Sequence, residues 1–309
     1  MTIPLLLDGT VPLAHLGLMR ARGADAAKFL QGQLTNDVAS LGPGQARLAG
    51  FCSAKGRLQA SFIVWQAAPD ELLLLVSASV LPATLKRLSM FVLRAQCKLT
   101  DASAELSLIG AVGATAHRGV GDAAVWQTRT EASRTVLRLP DVQGLVRCLF
   151  IGAPDEASPA PAIALEAWRW LEVQSGLPTI EAATVEQFVP QMLNFELIGG
   201  VDFHKGCYPG QEIVARSQYR GTVKRRMFLL DCDAPMQAGQ EVFHAGDPQQ
   251  PAGMVVNAAA HPAGAGWSAL VELKLAALDG GGLHLGASDG ALLRLAELPY
   301  PVPTDAPAL

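Results

Sequence analysis

Apolar positions along this chain follow two rhythms. Residues 57–66 (RLQASFIVWQ) and Glu71–Ser77 (ELLLLVS) are short aliphatic and β-branched runs separated by Ala68-Pro69-Asp70, a pattern that predicts two strands joined by a turn. Over 81–94 the apolar residues Leu85, Leu88, Phe91 and Val92 fall at helical spacing, with Pro82 in the first turn. Residues 23–31 predict a short helix burying Phe29 and Leu30, followed by turn- and cap-forming Thr35-Asn36-Asp37. Further strands are expected near 106–110, 135–139 and 145–151, and a Pro/Ala-rich loop (GAPDEASPAPA) over 152–162. A helix over 163–174 should stop at Gly176, two residues before Pro178. The opening MTIPLLLDGTVPLAHLG reads as strand or loop.

From Arg225 onward the texture changes to short β-like runs: RRMFLLDC, EVFH, GMVVNAA, GWSALVEL and LLRLAEL, punctuated by Gly, Pro and Asp. That spacing suits a small barrel or sandwich. The pattern gives an α+β protein of 309 residues in three parts: 1–105, 106–222 and 223–309.

Composition narrows the functional classes. Half of the residues are hydrophobic, but no run approaches the ~20 apolar residues of a membrane helix. The first residues lack a basic leader, so a cytoplasmic protein is expected. The net charge of −4 argues against a nucleic-acid binder. The five cysteines, Cys52, Cys97, Cys148, Cys207 and Cys232, are odd in number and widely spaced, with no zinc-ligand pattern. That fits a reducing compartment and gives no metal site.

Candidate chemistry concentrates in residues 194–226 (NFELIGGVDFHKGCYPGQEIVARSQYRGTVKRR), centred on Lys205-Gly206-Cys207-Tyr208-Pro209-Gly210-Gln211-Glu212. Two glycines bracket a turn, able to take positive φ and to let the backbone approach a ligand. Tyr208 adds a flat face and a hydroxyl, while Gln211 and Glu212 are placed to open a helix. An ammonium group beside a thiol, or a helix N-terminus near it, favours thiolate, which makes Cys207 and Lys205 the candidate catalytic pair. His204 is either a base toward Cys207 or a spectator on the opposite face of an extended strand. Asn36 and Asp37 serve either as a cap or as ligand contacts. Trp168 and Trp170 are accounted for by packing.

The K-G-C-Y-x-G-Q-E pattern, preceded by Leu-x-Gly-Gly-Val-x-Phe and followed by an Arg-Gly-x-x-Lys-Arg run, resembles the signature of the YgfZ family, within the superfamily of the glycine-cleavage T-protein (aminomethyltransferase). Residues 30–38 (LQGQLTNDV), 54–57 (AKGR) and 187–191 (QFVPQ) are similar to other family segments, so the resemblance spans nearly the whole chain. It implies a ring-like three-domain body ending in a small β-barrel, with a central channel for tetrahydrofolate or a derivative. It also implies a role in iron–sulfur cluster assembly or repair, with transient partners among iron–sulfur enzymes, including radical enzymes that modify tRNA.

The sequence departs from the enzyme branch of that superfamily. Where aminomethyltransferases carry an acidic residue near the reacting folate nitrogen, residues 55–60 (KGRLQA) offer none, and neither an amide nor a methyl can shuttle a proton. A second family carboxylate, two residues before a helix-ending glycine and in contact with the pterin, reads onto Gln174. Both departures argue against conventional aminomethyl transfer or amine demethylation. Arg216, Arg220, Lys224, Arg225 and Arg226 form a basic run that could meet a folate glutamate tail, RNA phosphates or water. The acidic whole makes a tRNA-binding role the weaker choice and leaves Arg216 and Arg220 as folate-tail candidates beside Asn36, Asp37 and Gln174.

Overall fold

The computed structural model describes residues 7–131, 134–154, 160–219, 223–264 and 266–303. The first part of the chain forms β1 (Gly9–Pro12), β2 (Leu16–Arg22), α1 (Ala26–Gln31), β3 (Ala46–Cys52), β4 (Leu58–Ala68), β5 (Glu71–Ser77), α2 (Leu81–Ser89) and β6 (Lys98–Asp101). The middle adds β7 (Ser107–Val112), α3 (Ala114–Val120), β8 (Thr128–Glu131), β9 (Arg134–Val142), β10 (Leu145–Gly152), α4 (Leu165–Gln174) and α5 (Gln211–Tyr219). The last part supplies β11 (Arg225–Cys232), β12 (Glu241–His244), β13 (Asp247–Ala260), β14 (Trp267–Lys274), β15 (Leu283–Leu285) and β16 (Leu292–Ala296).

Two five-stranded sheets, ordered β1-β7-β10-β9-β8 and β3-β4-β5-β2-β6, face one another. Their central strands are buried on both sides, and the period of two sorts the side chains. In β5, Leu73 and Leu75 join Trp65 and Leu18 against Leu137, Leu139, Leu149 and Ile151 of the opposite sheet. Leu72, Leu74 and Val76 point the other way, onto Phe29 and Leu30 of α1 and Leu81 and Leu88 of α2. In β10 the same alternation sends Cys148 and Phe150 outward to Ala116 and Val120 of α3. The result is helix, sheet, sheet, helix, with α4 inserted where the two sheets meet. Although the sheet β1-β7-β10-β9-β8 takes its other strands from residues 107–152, its edge strand is β1, so residues 9–12 join a sheet built from the middle of the chain.

The last segment closes into a six-stranded barrel, β11-β14-β13-β12-β15-β16, as the family resemblance implies. It docks through paired polar contacts. Asn257 exchanges two 2.9 Å hydrogen bonds with the backbone of Thr179. Trp170 Nε1 donates to Ser268 Oγ at 3.2 Å, and the buried Arg226 guanidinium pairs with the Glu196 carboxylate.

One expectation needs adjustment. The helix expected over 81–94 ends at Ser89. Phe91 and Val92 donate to Leu88 and Ser89 three residues back, tightening the last turn, after which the chain must return to pair β6 with β2. Phe91 and Leu93 are therefore exposed, Leu93 at 87%. The short elements β1, β6, β8 and α3 carried too few residues for a readable period.

Candidate functional site: a signature turn and an inter-sheet cavity

The four family-like segments are distant in sequence and converge in space. Thr35 Oγ1 donates to Gly200 O at 2.6 Å and accepts from Gly50 N at 2.7 Å. The buried Asn36 amide donates to Leu48 O and Gly199 O at 2.6 and 2.7 Å, and Asp202 N donates to Thr35 O at 3.0 Å. Arg57 donates to the carbonyl of Gln187, while Leu58 and Glu186 exchange backbone contacts through Leu58 N to Phe188 O and Glu186 N to Leu58 O, each 2.8 Å. Gln191 Nε2 donates to Val214 O in α5 at 2.8 Å. Gly210 adopts φ +80°, and a Cβ there would lie 2.4 Å from Ser53 O and 2.6 Å from the Cα of Gly56. Only glycine permits that approach of the signature turn to the 53–57 turn. Gly206, by contrast, has no positive φ and open space around it.

Within this knot Lys205 and Cys207 point to different tasks. Lys205 is buried, and its ammonium donates to the carbonyls of Gln31, the last residue of α1, and of Leu34, while lying 4.9 Å from the centre of the Tyr208 ring. Burial pushes its pKa down to about 8, against the opposing pull of Asp37, Asp202 and the nearby Cys207 thiol. Tyr208 is buried and its hydroxyl is held above the ordinary phenol range, chiefly by burial. Cys207 itself is exposed. Cys52 and Cys148 are buried thiols, each pushed up to about 12 by desolvation, as inert packing cysteines should be.

A separate cavity lies between the sheets. It holds about 600 Å³ of atom-free space, counting its open mouth, and Leu16, Leu48, Ile63, Leu75 and Leu149 contribute its apolar walls. Its polar side chains include Arg147, Glu172, Ser61, Ser77 and Ser175. Trp168, wholly buried, lies against Gly110, where a Cβ would come within 2.8 Å of the indole. Its Nε1 donates to Glu172 Oε1 at 2.9 Å, and His15 Nε2 lies 2.8 Å from Glu172 Oε2. The Arg147 guanidinium stacks over the Trp168 ring, 5.6 Å from its centre, and burial pushes it down to about 10. Cavity and knot share a wall: Leu48, Ile63 and Leu177 line the cavity and also pack with Phe195, Val201 and Val214 beneath the signature turn. Cys207 is not part of that lining.

Comparison with known proteins agrees with this architecture. Residues 9–133 match the GCVT N-terminal domain family. The chain is 30% identical to the tRNA-modifying protein YgfZ of Sodalis glossinidius over 97% of this chain and 94% of that one. It is 32% identical to the protein of the same name in Photorhabdus laumondii, over 83% and 81% of the two chains. The chain belongs to the YgfZ family. The crystal structure of glycine cleavage system aminomethyltransferase T from Bartonella henselae superposes with a TM-score of 0.74 at 18% identity, covering 94% of this chain and 86% of that one. The three-part T-protein fold is thus shared.

In this YgfZ-family chain the site residues read from sequence fall in different places. Lys205, Gly206, Cys207, Tyr208, Gly210, Gln211 and Glu212 do form one turn leading into α5, which starts at Gln211. None of Asn36, Asp37, Gln174 and Arg216 lines the inter-sheet cavity. Asn36 ties two backbone segments together, and Asp37 accepts from the Ser40 hydroxyl, the main reason its carboxyl is held below the usual range. Gln174 meets Gln143 at 3.3 Å. Arg216 is exposed at the end of α5, and Arg220 lies outside the described residues. Of the remaining basic run, Arg225 pairs with Glu272 and Arg226 with Glu196. The cavity's own ionic groups, Glu172 and Arg147, escaped the reading by offset from Gly176. Helical spacing of Leu165, Trp168 and Glu172 could have found the carboxylate, because residues three and four apart share a face.

Proposed function

We propose that the inter-sheet cavity binds a tetrahydrofolate-type ligand, and that Cys207 works apart from it in assembly or repair of iron–sulfur clusters for client enzymes, including those that modify tRNA. The observation that carries this reading is the half-buried Glu172 beside buried Trp168 and Arg147, lining a largely apolar slot. The residues suit a pterin. Each Glu172 oxygen accepts one bond, from Trp168 or His15, and an ionised carboxylate has about four lone-pair sites, so two remain for the N–H edge of a ring. Leucine and isoleucine walls exclude water from the flat faces. When bound, a reduced folate supplies nitrogen atoms that carry one-carbon units.

Aminomethyl transfer has less support. Of strand β4 only Ser61, Phe62 and Ile63 line the cavity, while Gln59 is turned to Glu186 at 2.7 Å. An RNA-binding role through the basic run is weakened by the two ion pairs at Arg225 and Arg226. The relatives' name, tRNA-modifying protein, is better served by an indirect role, in which Cys207 acts on cluster-bearing enzymes. An exposed thiol outside the cavity suits a macromolecular partner.

The test is complementation. In a strain lacking this gene, the wild-type chain should restore the activity of iron–sulfur enzymes and Cys207→Ala should not, with both proteins equally folded by circular dichroism. Full rescue by Cys207→Ala would remove the thiol from the proposed function.

A further inference from the structure

Arg147 is an unusual group to leave at the floor of a cavity. It is 1% exposed. Its Nε and Nη2 both donate to one acceptor, Pro140 O, at 3.2 and 3.1 Å. Among the described residues Nη1 has no hydrogen-bond acceptor and the guanidinium no carboxylate within ion-pair distance, and Nη1 is not one of the fully enclosed atoms left without a partner. A guanidinium carries five N–H donors, and burying a cation so sparsely matched is costly unless something else supplies the acceptor. The cavity is where it can come from. Arg147 lines it over the face of the Trp168 indole, and Glu172 lines it at the indole Nε1. One wall therefore offers an acceptor and a donor side by side.

We infer that Arg147 is a specificity-determining residue that reads a ring carbonyl, so that Glu172 and Arg147 together select a ligand with a 2-amino-4-oxopyrimidine edge. Glu172 accepts from the ring N–H and amino group, and Arg147 donates to the adjacent 4-oxo oxygen. A 4-amino group in that position turns N–H donors toward the guanidinium's own donors and leaves Arg147 as unmatched as before. Discrimination arises from this mismatch, because a buried polar site penalises a ligand that cannot pair with it. The inference rests on the folate reading for the identity of the ligand, but the edge it describes is shared by two sources, reduced pterins and guanine nucleosides.

The experiment is calorimetric titration of the full chain with tetrahydrofolate and its 4-amino analogue, and with guanosine and 2,6-diaminopurine riboside. Wild type should bind tetrahydrofolate at least about tenfold more tightly than the 4-amino analogue, and Arg147→Met should bring the two affinities within about twofold. If Arg147→Met does not fold, Arg147→Lys is titrated in its place, and an unchanged ratio overturns the role of Arg147. Equal wild-type affinity for the oxo and amino forms overturns the role of Arg147 and leaves the folate reading intact. An oxo preference for guanosine with no binding of tetrahydrofolate supports the edge recognition and overturns folate as its source. Binding of none of the four overturns both.

Discussion

The signature turn and the inter-sheet cavity share the wall made by Leu48, Ile63 and Leu177, yet they put their polar groups to different uses. Around the turn Thr35, Asn36, Lys205 and the Gln191 amide nitrogen bond to main chain, and the Cys207 thiol is left outside, although buried Gln191 Oε1, Ser53 Oγ and Glu196 Oε2 have no partner among the described residues. Around the cavity a buried guanidinium keeps donors without acceptors, and a carboxylate keeps lone pairs. Hydrogen bonds to main chain fix the groups they hold, whereas polar groups lining a concave site are placed to meet a ligand. The difference teaches where to look in this fold: the sequence signature marks the scaffold that displays a thiol, and the ligand pocket is written in residues outside that signature.

Perturbing the scaffold should cost the most. Arg226→Met breaks the buried pair with Glu196, whose carboxyl burial already pushes up, and should destabilise the chain by about 3–5 kcal/mol, read as a lower midpoint in urea. Gly210→Ala forces a Cβ toward Ser53 O and Gly56 at a positive φ and should lose about 2–4 kcal/mol; an unchanged midpoint would show that the two turns do not pack as described. Glu172→Gln keeps the fold but should weaken tetrahydrofolate binding by about 1.5–3 kcal/mol, the scale of a charged hydrogen bond. Cys207→Ala should change stability by no more than about 0.5 kcal/mol, as a surface substitution does.

The pH dependence of stability separates the regions as well. Because the folded Lys205 has a pKa near 8, below its ordinary 10.5, the unfolded chain binds more protons between those values. Its contribution to stability is therefore unfavourable below pH 8 and is relieved as pH rises toward 10.5. Lys205→Met should remove that upward slope when the pH profiles of wild type and variant are subtracted. A difference profile flat across this window would mean that the ammonium is not desolvated.

The sequence was most readable where a local rule had one solution. The pair β4–β5, the stop of α4 at Gly176, with φ +67°, and the start of α5 at Gln211 all followed from pattern and turn chemistry. The signature turn was legible as a unit, but not the division of labour inside it: nothing in the adjacency of Lys205 and Cys207 reveals that the ammonium is drawn to carbonyls of Gln31 and Leu34, more than 170 positions away. At Gln174 the offset from the helix-ending glycine misled. On an α-helix two residues are separated by about 200°, so Glu172 and Gln174 occupy opposite faces of α4, and only Glu172 reaches the cavity. Arg147 had no signal in the sequence, since a single arginine in a strand is ordinarily a surface residue, and its burial depends on Trp168 and Pro140 arriving from elsewhere.

The central claim, that the ligand cavity and the thiol are independent sites, is tested most directly by titrating tetrahydrofolate into wild type, Glu172→Gln and Cys207→Ala in the same calorimeter. The account predicts equal affinity for wild type and Cys207→Ala, with Glu172→Gln at least about tenfold weaker. Loss of binding in Cys207→Ala, with Glu172→Gln unaffected, would contradict it and move the ligand to the signature turn.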